Sequence, residues 1–180
     1  MASCTIRPFQ ARDREGVNAV ARAAFGQYSK DYQDWPSFID GIGRMADLAQ
    51  SGDLFVAECA GALAGAVVHL PPGAPRSAIF PDGWSVIRML VVAPDARGGG
   101  IGRGLVAACL RAAHRAGAPA IGLHTSPIMG SALRLYEALG FARDQDLPPI
   151  RGVPYGRYVL PAAEFDTALA RLEAMAAARL

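Results

Sequence analysis

The chain has 180 residues, which suits one domain with a substantial core, and its 52% of hydrophobic residues excludes an intrinsically disordered protein. Lysine and arginine total 18 against 16 acidic residues, which leaves a formal net charge of +2. So small an excess predicts no nucleic-acid partner and no attachment to an anionic membrane surface.

The three cysteines, Cys4, Cys59 and Cys109, lie far apart and form no C-x-x-C or Cys/His ligand spacing. We therefore predict no metal site and no disulfide framework, with each thiol a small buried hydrophobe in a reducing compartment. The N-terminus has no basic-then-apolar leader, and no window is apolar enough to span a bilayer. The sequence thus predicts a cytoplasmic protein.

Residues 1–50 predict one short strand and two helices. Residues 4–9 are extended, and Pro8 favours a sheet edge because proline cannot donate to a ladder. Asp13 can cap a helix that carries apolar residues at helical spacing. A second helix is predicted to begin near Ser37 and to continue through Leu48.

The middle of the chain predicts antiparallel strands, followed by a unit in which strands and helices alternate. Residues 53–70 predict a hairpin that turns at Ala60-Gly61, and residues 84–92 are typical of a central strand covered on both faces. The unit that follows begins with a glycine-rich loop, a helix that ends at Gly117 and a strand at 120–126. A helix from Ser126-Pro127 to Gly140, a strand at 155–161 and a helix at 163–180 complete it. This order predicts a mixed α/β sandwich whose sheet is covered by helices.

The glycine-rich loop lies in residues 90–102, LVVAPDARGGGIG, between an apolar strand and a helix start. Unpaired backbone N–H groups and the helix dipole make such a loop an anion site, most readily for phosphate. A P-loop is excluded because Arg103 and Gly104 stand where lysine and a hydroxyl residue would be needed. A dinucleotide site is disfavoured because the next strand ends in GLHTS, without an acidic residue.

The loop resembles the pyrophosphate-binding signature of the GCN5-related N-acetyltransferase (GNAT) family, R/Q-x-x-G-x-G/A, at Arg97, Gly100 and Gly102. The preceding Leu-x-Val-x-Pro of that family is present at residues 90–94. A second family element, Ala-x-x-Leu-Tyr followed by Gly-Phe, lies in residues 132–141. Both elements occur in the family's order, and the sequence looks most like a bacterial subgroup of small-molecule acetyltransferases.

The resemblance implies one GNAT domain over residues 1–180. Its fold would be a mixed, mainly antiparallel central sheet with a splayed parallel pair, flanked by helices. Residues 1–50 would build the acceptor site, residues 84–141 would form the acetyl-CoA-binding core, and a helix would follow at 163–180. The cosubstrate implied is acetyl-CoA, with no metal. The residues implied to bind it are Leu90, Val91, Val92, Arg97, Gly98, Gly99, Gly100, Ile101, Gly102 and Arg103.

The resemblance also implies a direct attack of an amine on the thioester, with Tyr136 at the family's general-acid position. A phenol is protonated at neutral pH and can protonate the leaving thiolate. The glutamate that some members use as general base is replaced by Val86. The base is therefore another side chain or a water chain, or it is unnecessary for an amine that is already neutral. Among the side chains, His124 is favoured over Glu58 and His69, because a histidine has a suitable pKa.

The acceptor is predicted to be a small-molecule amine, with the primary amine of a peptide as the alternative. A small molecule would bind near Tyr28, Tyr32, Trp35 and Phe38, or these aromatic residues form only a packed lid. A non-catalytic module that binds or senses coenzyme A is the alternative function. A transferase acting on charged tRNA is disfavoured by the lack of a basic run. The alanine-rich C-terminal helix is expected to pack on the sheet, with a homodimer contact as the alternative.

Overall fold

The computed structural model describes residues 4–178, and these contain one sheet of seven strands with helices on both faces. The strands are β1 (Cys4–Pro8), β2 (Asp53–Cys59), β3 (Ala62–Leu70), β4 (Ser85–Val92), β5 (Ala120–Thr125), β6 (Ala142–Ile150) and β7 (Val153–Pro161). The helices are α1 (Arg14–Phe25), α2 (Trp35–Ile42), α3 (Ile101–Arg115), α4 (Gly130–Leu139) and α5 (Phe165–Ala177). Across the sheet the strands lie in the order β1, β2, β3, β4, β5, β7, β6.

Two apolar clusters cover the two faces of the sheet. On one face, α3, α4 and α5 pack over the sheet, with Leu105 and Leu110 of α3 fully buried. On the other face, α1 and the 3-10 turn Met45–Gln50 cover the sheet through Val17 and Met45. Burial of each side chain of this size contributes about 1.5–3 kcal/mol. The predicted class, a mixed and mainly antiparallel sheet flanked by helices, is confirmed.

The two parallel strands, β4 and β5, separate soon after they begin. They pair only at Ser85 with Ile121 and at Val86 with Gly122. Beyond Val86 of β4 and Gly122 of β5, the edges that the two strands turn toward each other are not paired, so a gap opens between them. The splayed parallel pair implied by the family resemblance is therefore present.

A bulge in β4 lies directly beside this gap. Arg88 pairs with Val68 of β3 and Val91 pairs with Ala66, so Met89 and Leu90 together stand opposite one residue of β3. Met89 adopts a left-handed backbone conformation with φ of 57°, which residues other than glycine rarely take. Such a bulge interrupts the ladder and leaves backbone groups available at the gap.

Three sequence predictions are corrected by the structure. The second helix is shorter than expected: α2 ends at Ile42, and Gly43 separates it from a 3-10 turn because glycine weakens the helix. Helix α4 begins at Gly130 with Met129 at its N-cap position, so Ser126-Pro127 precedes the helix rather than opening it. Strand β6 was missed because it is exposed at nearly every position, and its charged residues and two prolines show no apolar alternation.

The cysteine prediction is also wrong for one pair. Cys4 and Cys59 form a disulfide bond, and the cysteine argument for a reducing compartment fails for this pair. The two residues are direct partners in the antiparallel register of β1 and β2, with a Cα–Cα distance of 4.2 Å. This register, which the sequence does not display, is what brings them together. Cys109 alone is a buried free thiol among the described residues, as predicted.

The C-terminal helix packs inside the chain. Helix α5 buries Phe165, Ala168 and Leu172 in the cluster formed with α3 and α4. This arrangement agrees with the favoured prediction of packing on the sheet, and the homodimer contact stays a prediction.

Candidate active site

A cavity of about 260 Å³, which we call the loop cavity, lies where the glycine-rich loop meets α1 and α4. It extends from the C-terminal end of β4 to the start of α3. Its lining residues are Ala24, Phe25, Gln27, Tyr28, Leu90, Val91, Val92, Ala96, Arg97, Gly98, Gly100, Ile101, Gly102, Met129, Ser131, Ala132 and Leu135. Of the ten residues predicted to bind the coenzyme, only Gly99 and Arg103 are missing from this lining.

The loop itself is shaped by two glycines in left-handed conformations, Gly98 with φ of 85° and Gly100 with φ of 86°. A Cβ atom at Gly98 would meet nothing within 4 Å, so conformation rather than space favours glycine there. The first intrahelical bond of α3 runs from the amide of Gly104 to the carbonyl of Gly100. The N–H groups of Ile101 and Gly102 therefore precede the helical ladder and are available to an anion.

The two arginines of the loop region have different positions. The exposed side chain of Arg97 lines the cavity and donates to Gln27 Oε1 and to the carbonyl oxygen of Ala24, both at 3.2 Å. It thereby ties the loop to the end of α1. Arg103 instead donates to the carbonyl oxygen of Met175 in α5 at 3.0 Å. Of the two, Arg97 is thus the one placed to meet an anion in the cavity.

A second cavity of about 210 Å³, the strand cavity, opens where β4 and β5 separate. It is lined by Phe25, Phe38, Ile42, Ile87, Arg88, Met89, Leu90, Leu123, His124, Thr125, Met129, Ala132, Tyr136, Ile150 and Tyr155. Phe25, Leu90, Met129 and Ala132 line both cavities, which therefore adjoin at the bulge of β4. A ligand can lie in the loop cavity and present its end to the strand cavity.

His124 lies in the wall of the strand cavity at the end of β5. Its ring lies 6.0 Å from that of Phe80 and 5.4 Å from that of Tyr155, centroid to centroid. Neither ring nitrogen has a hydrogen-bond partner among residues 4–178. Burial, and secondarily the charge of Arg88, lowers the pKa of His124 below its ordinary value. The imidazole is therefore neutral near pH 7, with a lone pair free to accept a proton.

Tyr136 reaches the same cavity from α4. Its side chain is buried, with its ring 5.6 Å from that of Phe141. Burial raises the pKa of this phenol, so the hydroxyl keeps its proton across the physiological range. The structure thus brings the two predicted catalytic residues, Tyr136 and His124, to one cavity.

Two other predicted candidates lie elsewhere. Glu58 accepts a hydrogen bond from Arg7 at 2.8 Å at the β1 edge, and it lines neither cavity. His69 is enclosed between Asp53 at 3.0 Å and Ser85 at 2.9 Å. As general bases for this site, both are excluded by position.

The aromatic residues of the N-terminal region divide between the cavities and a separate cluster. Tyr28 lines the loop cavity and Phe38 lines the strand cavity. Tyr32 stacks on Phe38, with a centroid distance of 4.0 Å, and shares a hydrogen bond with Tyr155. Trp35 packs against Tyr32 and Phe38 and lies outside both linings.

Sequence reasoning missed several residues of the strand cavity. Arg88 and Met89 belong to a strand that the sequence marks only as apolar and central. Ile150 and Tyr155 come from the hairpin of β6 and β7. The turn of this hairpin contacts the start of α2 through an ion pair of Arg151 with Asp34 at 2.7 Å. The isolated charge of Arg88 within an apolar strand was the available signal for a functional residue.

Within residues 4–178 no helix is long and apolar enough to cross a membrane. In the same range, no group of three or more His, Cys, Asp or Glu side chains is arranged to hold a metal ion.

With this geometry in view, comparison with known proteins assigns the family. The model of the acetyltransferase (GNAT) family matches residues 17–141. This range includes most of α1 and the whole of the second family element, and it exceeds half of the chain. The chain belongs to the GNAT family.

Individual relatives agree with this assignment. The mouse (Mus musculus) protein named "Probable N-acetyltransferase family 8 member 5" is 36% identical over 131 residues, covering 69% of this chain and 54% of that protein. The chain therefore spans about half the length of this curated relative.

Solved structures show the same fold. An N-acetyltransferase from Staphylococcus aureus Mu50 superposes with a TM-score of 0.72 at 19% identity, covering 89% of this chain and 99% of that one. A GNAT family acetyltransferase from Brucella melitensis, solved in complex with acetyl-CoA, gives a TM-score of 0.62 at 23% identity, covering 89% of each chain.

Proposed function

We propose that the protein is an acetyl-CoA-dependent N-acetyltransferase that transfers the acetyl group to the primary amine of a small molecule. The observation that carries this proposal is the pair of adjoining cavities at the gap between β4 and β5. One ends at the anion-binding start of α3, and the other contains His124 and Tyr136. Membership of the GNAT family and an acetyl-CoA-bound structural neighbour support it.

The residues of the loop cavity fit the coenzyme. The backbone amides of Ile101 and Gly102, together with Arg97, suit a pyrophosphate, and the open space at Gly98 permits its close approach. The unpaired edge of β4 from Leu90 to Val92 suits the amide groups of pantetheine. The bulge at Met89 offers backbone donors where the thioester carbonyl would lie.

The chemistry follows from the position of the two side chains. His124 accepts the proton that the amine loses as its nitrogen attacks the carbonyl carbon of the thioester. The new C–N bond forms as the C–S bond breaks, and Tyr136 donates its proton to the departing sulfur. A proton then returns to the phenolate from His124 through solvent, and an amide and a free thiol leave. Most of the rate enhancement comes from orienting amine and thioester at the gap.

The phenol is a suitable acid despite its raised pKa. The same burial that disfavours a phenolate also disfavours a thiolate within the cavity. The proton is therefore exchanged between two groups whose charged forms are both destabilised by burial.

The first test concerns the loop. Gly98→Asp places a carboxylate beside the proposed pyrophosphate position, and we expect the affinity for coenzyme A, measured by calorimetry, to fall by at least about tenfold. The matched control is Gly73→Asp, because Gly73 also has a positive φ (79°) and open space around it but lies outside both cavities. Equal affinity in the two variants would show that the loop does not bind the pyrophosphate.

The second test concerns turnover. Release of free thiol from acetyl-CoA should depend on an added primary amine. Tight binding of coenzyme A without thiol release across a broad panel of amines would contradict the transferase proposal and favour a sensing module.

A further inference from the structure

Arg88 supplies the only formal positive charge among the residues that line the strand cavity. Its side chain is exposed, and its guanidinium has no hydrogen-bond or ion-pair partner among residues 4–178. Nearby arginines differ in this respect: Arg151 pairs with Asp34 at 2.7 Å, and Arg157 pairs with Asp144 at 2.8 Å. Arg88 is thus available to an anionic group of a ligand.

No aspartate or glutamate of the described chain lines the cavity. A cationic amine therefore finds no compensating carboxylate there and meets the guanidinium instead. The field of Arg88 reaches the reaction centre, since it is one of the two causes that lower the pKa of His124. A ligand that carries its own anion removes this repulsion and can form a paired, charge-assisted contact with the guanidinium.

The rest of the cavity is apolar and small. Aromatic and aliphatic side chains supply its walls, among them Phe25, Phe38, Ile87 and Tyr155. Its volume of about 210 Å³ suits one amino-acid-sized molecule with an apolar side chain.

We propose that the acceptor is an amino-acid-like compound that combines a primary amine, one carboxylate and an apolar or aromatic side chain, with Arg88 binding the carboxylate. This inference rests on the proposed acetyl transfer and names the substrate class for it. The carboxylate at Arg88 turns the amine toward the gap, where His124 takes its proton. The apolar side chain fills the space between Phe25 and Phe38.

Paired acceptors test this assignment through kcat/KM. Phenylalanine and leucine are compared with phenethylamine and 3-methylbutylamine, which lack only the carboxylate. Phenylalanine and leucine are expected to be the better acceptors. Arg88→Met should reduce the ratio of kcat/KM for each amino acid to kcat/KM for its matched amine by about 10- to 100-fold. Arg88→Lys should keep part of the preference, because the charge remains and the planar fork is lost.

The matched control is Arg111→Met, which removes the same charge from the exposed side of α3, where the arginine lies 3.9 Å from Glu173. This variant should keep the ratio of the unchanged protein. Transfer to both kinds of acceptor with equal kcat/KM would overturn the carboxylate assignment while leaving acetyl transfer established.

A binding measurement separates the two proposals. In the presence of coenzyme A, N-acetylphenylalanine should bind at least about tenfold more tightly than N-phenethylacetamide, and Arg88→Met should remove the difference. This arm needs no turnover. Equal binding of the two products overturns the inference, whereas selective binding together with failure of thiol release from acetyl-CoA contradicts only the proposed transfer.

Discussion

At the scale of single residues, burial shifts the pKa values of the two side chains proposed for catalysis in opposite directions. Burial raises the pKa of the Tyr136 phenol and lowers that of the His124 imidazole, so both groups are neutral at pH 7. One then has a proton to give and the other a lone pair to receive one. In solvent, a phenol and an imidazole keep pKa values near their ordinary ones, and an imidazole is then partly protonated near neutral pH.

Tyr136→Phe tests the proton donor. We expect kcat to fall by about 100-fold or more, with little change in the affinity for coenzyme A, because only the hydroxyl is removed. Tyr158→Phe is the matched control, since Tyr158 is buried in the same apolar cluster but lines neither cavity. An unchanged kcat in the Tyr136 variant would exclude the general-acid role.

The lowered pKa of His124 predicts how the activity depends on pH. Because its pKa lies below the ordinary value of about 6.5, the neutral base persists at neutral pH, and activity is lost as the pH falls through that lowered pKa. In Arg88→Met one cause of the lowering is removed, so the acid limb of kcat/KM should move to higher pH. His124→Gln should abolish this limb and most of the activity. Persistence of the same limb in that variant would assign it to another group.

At the scale of secondary-structure elements, β1 shows how a five-residue edge strand is held in place. Arg7 donates to both oxygens of Asp13, at 2.7 and 2.9 Å, and to Glu58 at 2.8 Å. The guanidinium of Arg7 is the main reason that the pKa of Asp13 is lowered. The disulfide between Cys4 and Cys59 fixes the other end of the strand, so both ends are fastened to the rest of the domain.

The disulfide gives a prediction about stability. The bond joins residues 55 positions apart, and loss of this loop constraint on the unfolded chain is expected to cost up to about 4 kcal/mol. Reduction, or replacement of both cysteines by alanine, should therefore lower the denaturant midpoint. Each single alanine variant should match the double variant, because either change breaks the bond.

Thiol titration of the denatured protein provides the direct check. One thiol, that of Cys109, should react before reduction and three after it. Three reactive thiols before reduction would show that the bond does not form in solution.

At the scale of the whole molecule, the residues of the loop cavity could be predicted from the sequence, and most residues of the strand cavity could not. Strand β4, the glycine loop and α3 follow one another in the chain, so their spacing indicates their structure and the ligand proposed for them. The strand cavity instead joins Phe25, Arg88, His124 and Tyr155, which are distant in sequence. Pairing of β5 with β7 and the contact of Arg151 with Asp34 assemble them, and neither is visible in local patterns.

The narrow junction between β4 and β5 limits how cooperatively the two halves of the sheet unfold. Two residue pairs connect the half-sheet β1 to β4 with the half-sheet β5 to β7, so little backbone hydrogen bonding couples their local opening. A molecule lying in the gap and touching both strands would make them open together. The lifetime of this protein against proteases would then follow the supply of its own cosubstrate, since binding to the folded state protects it by mass action.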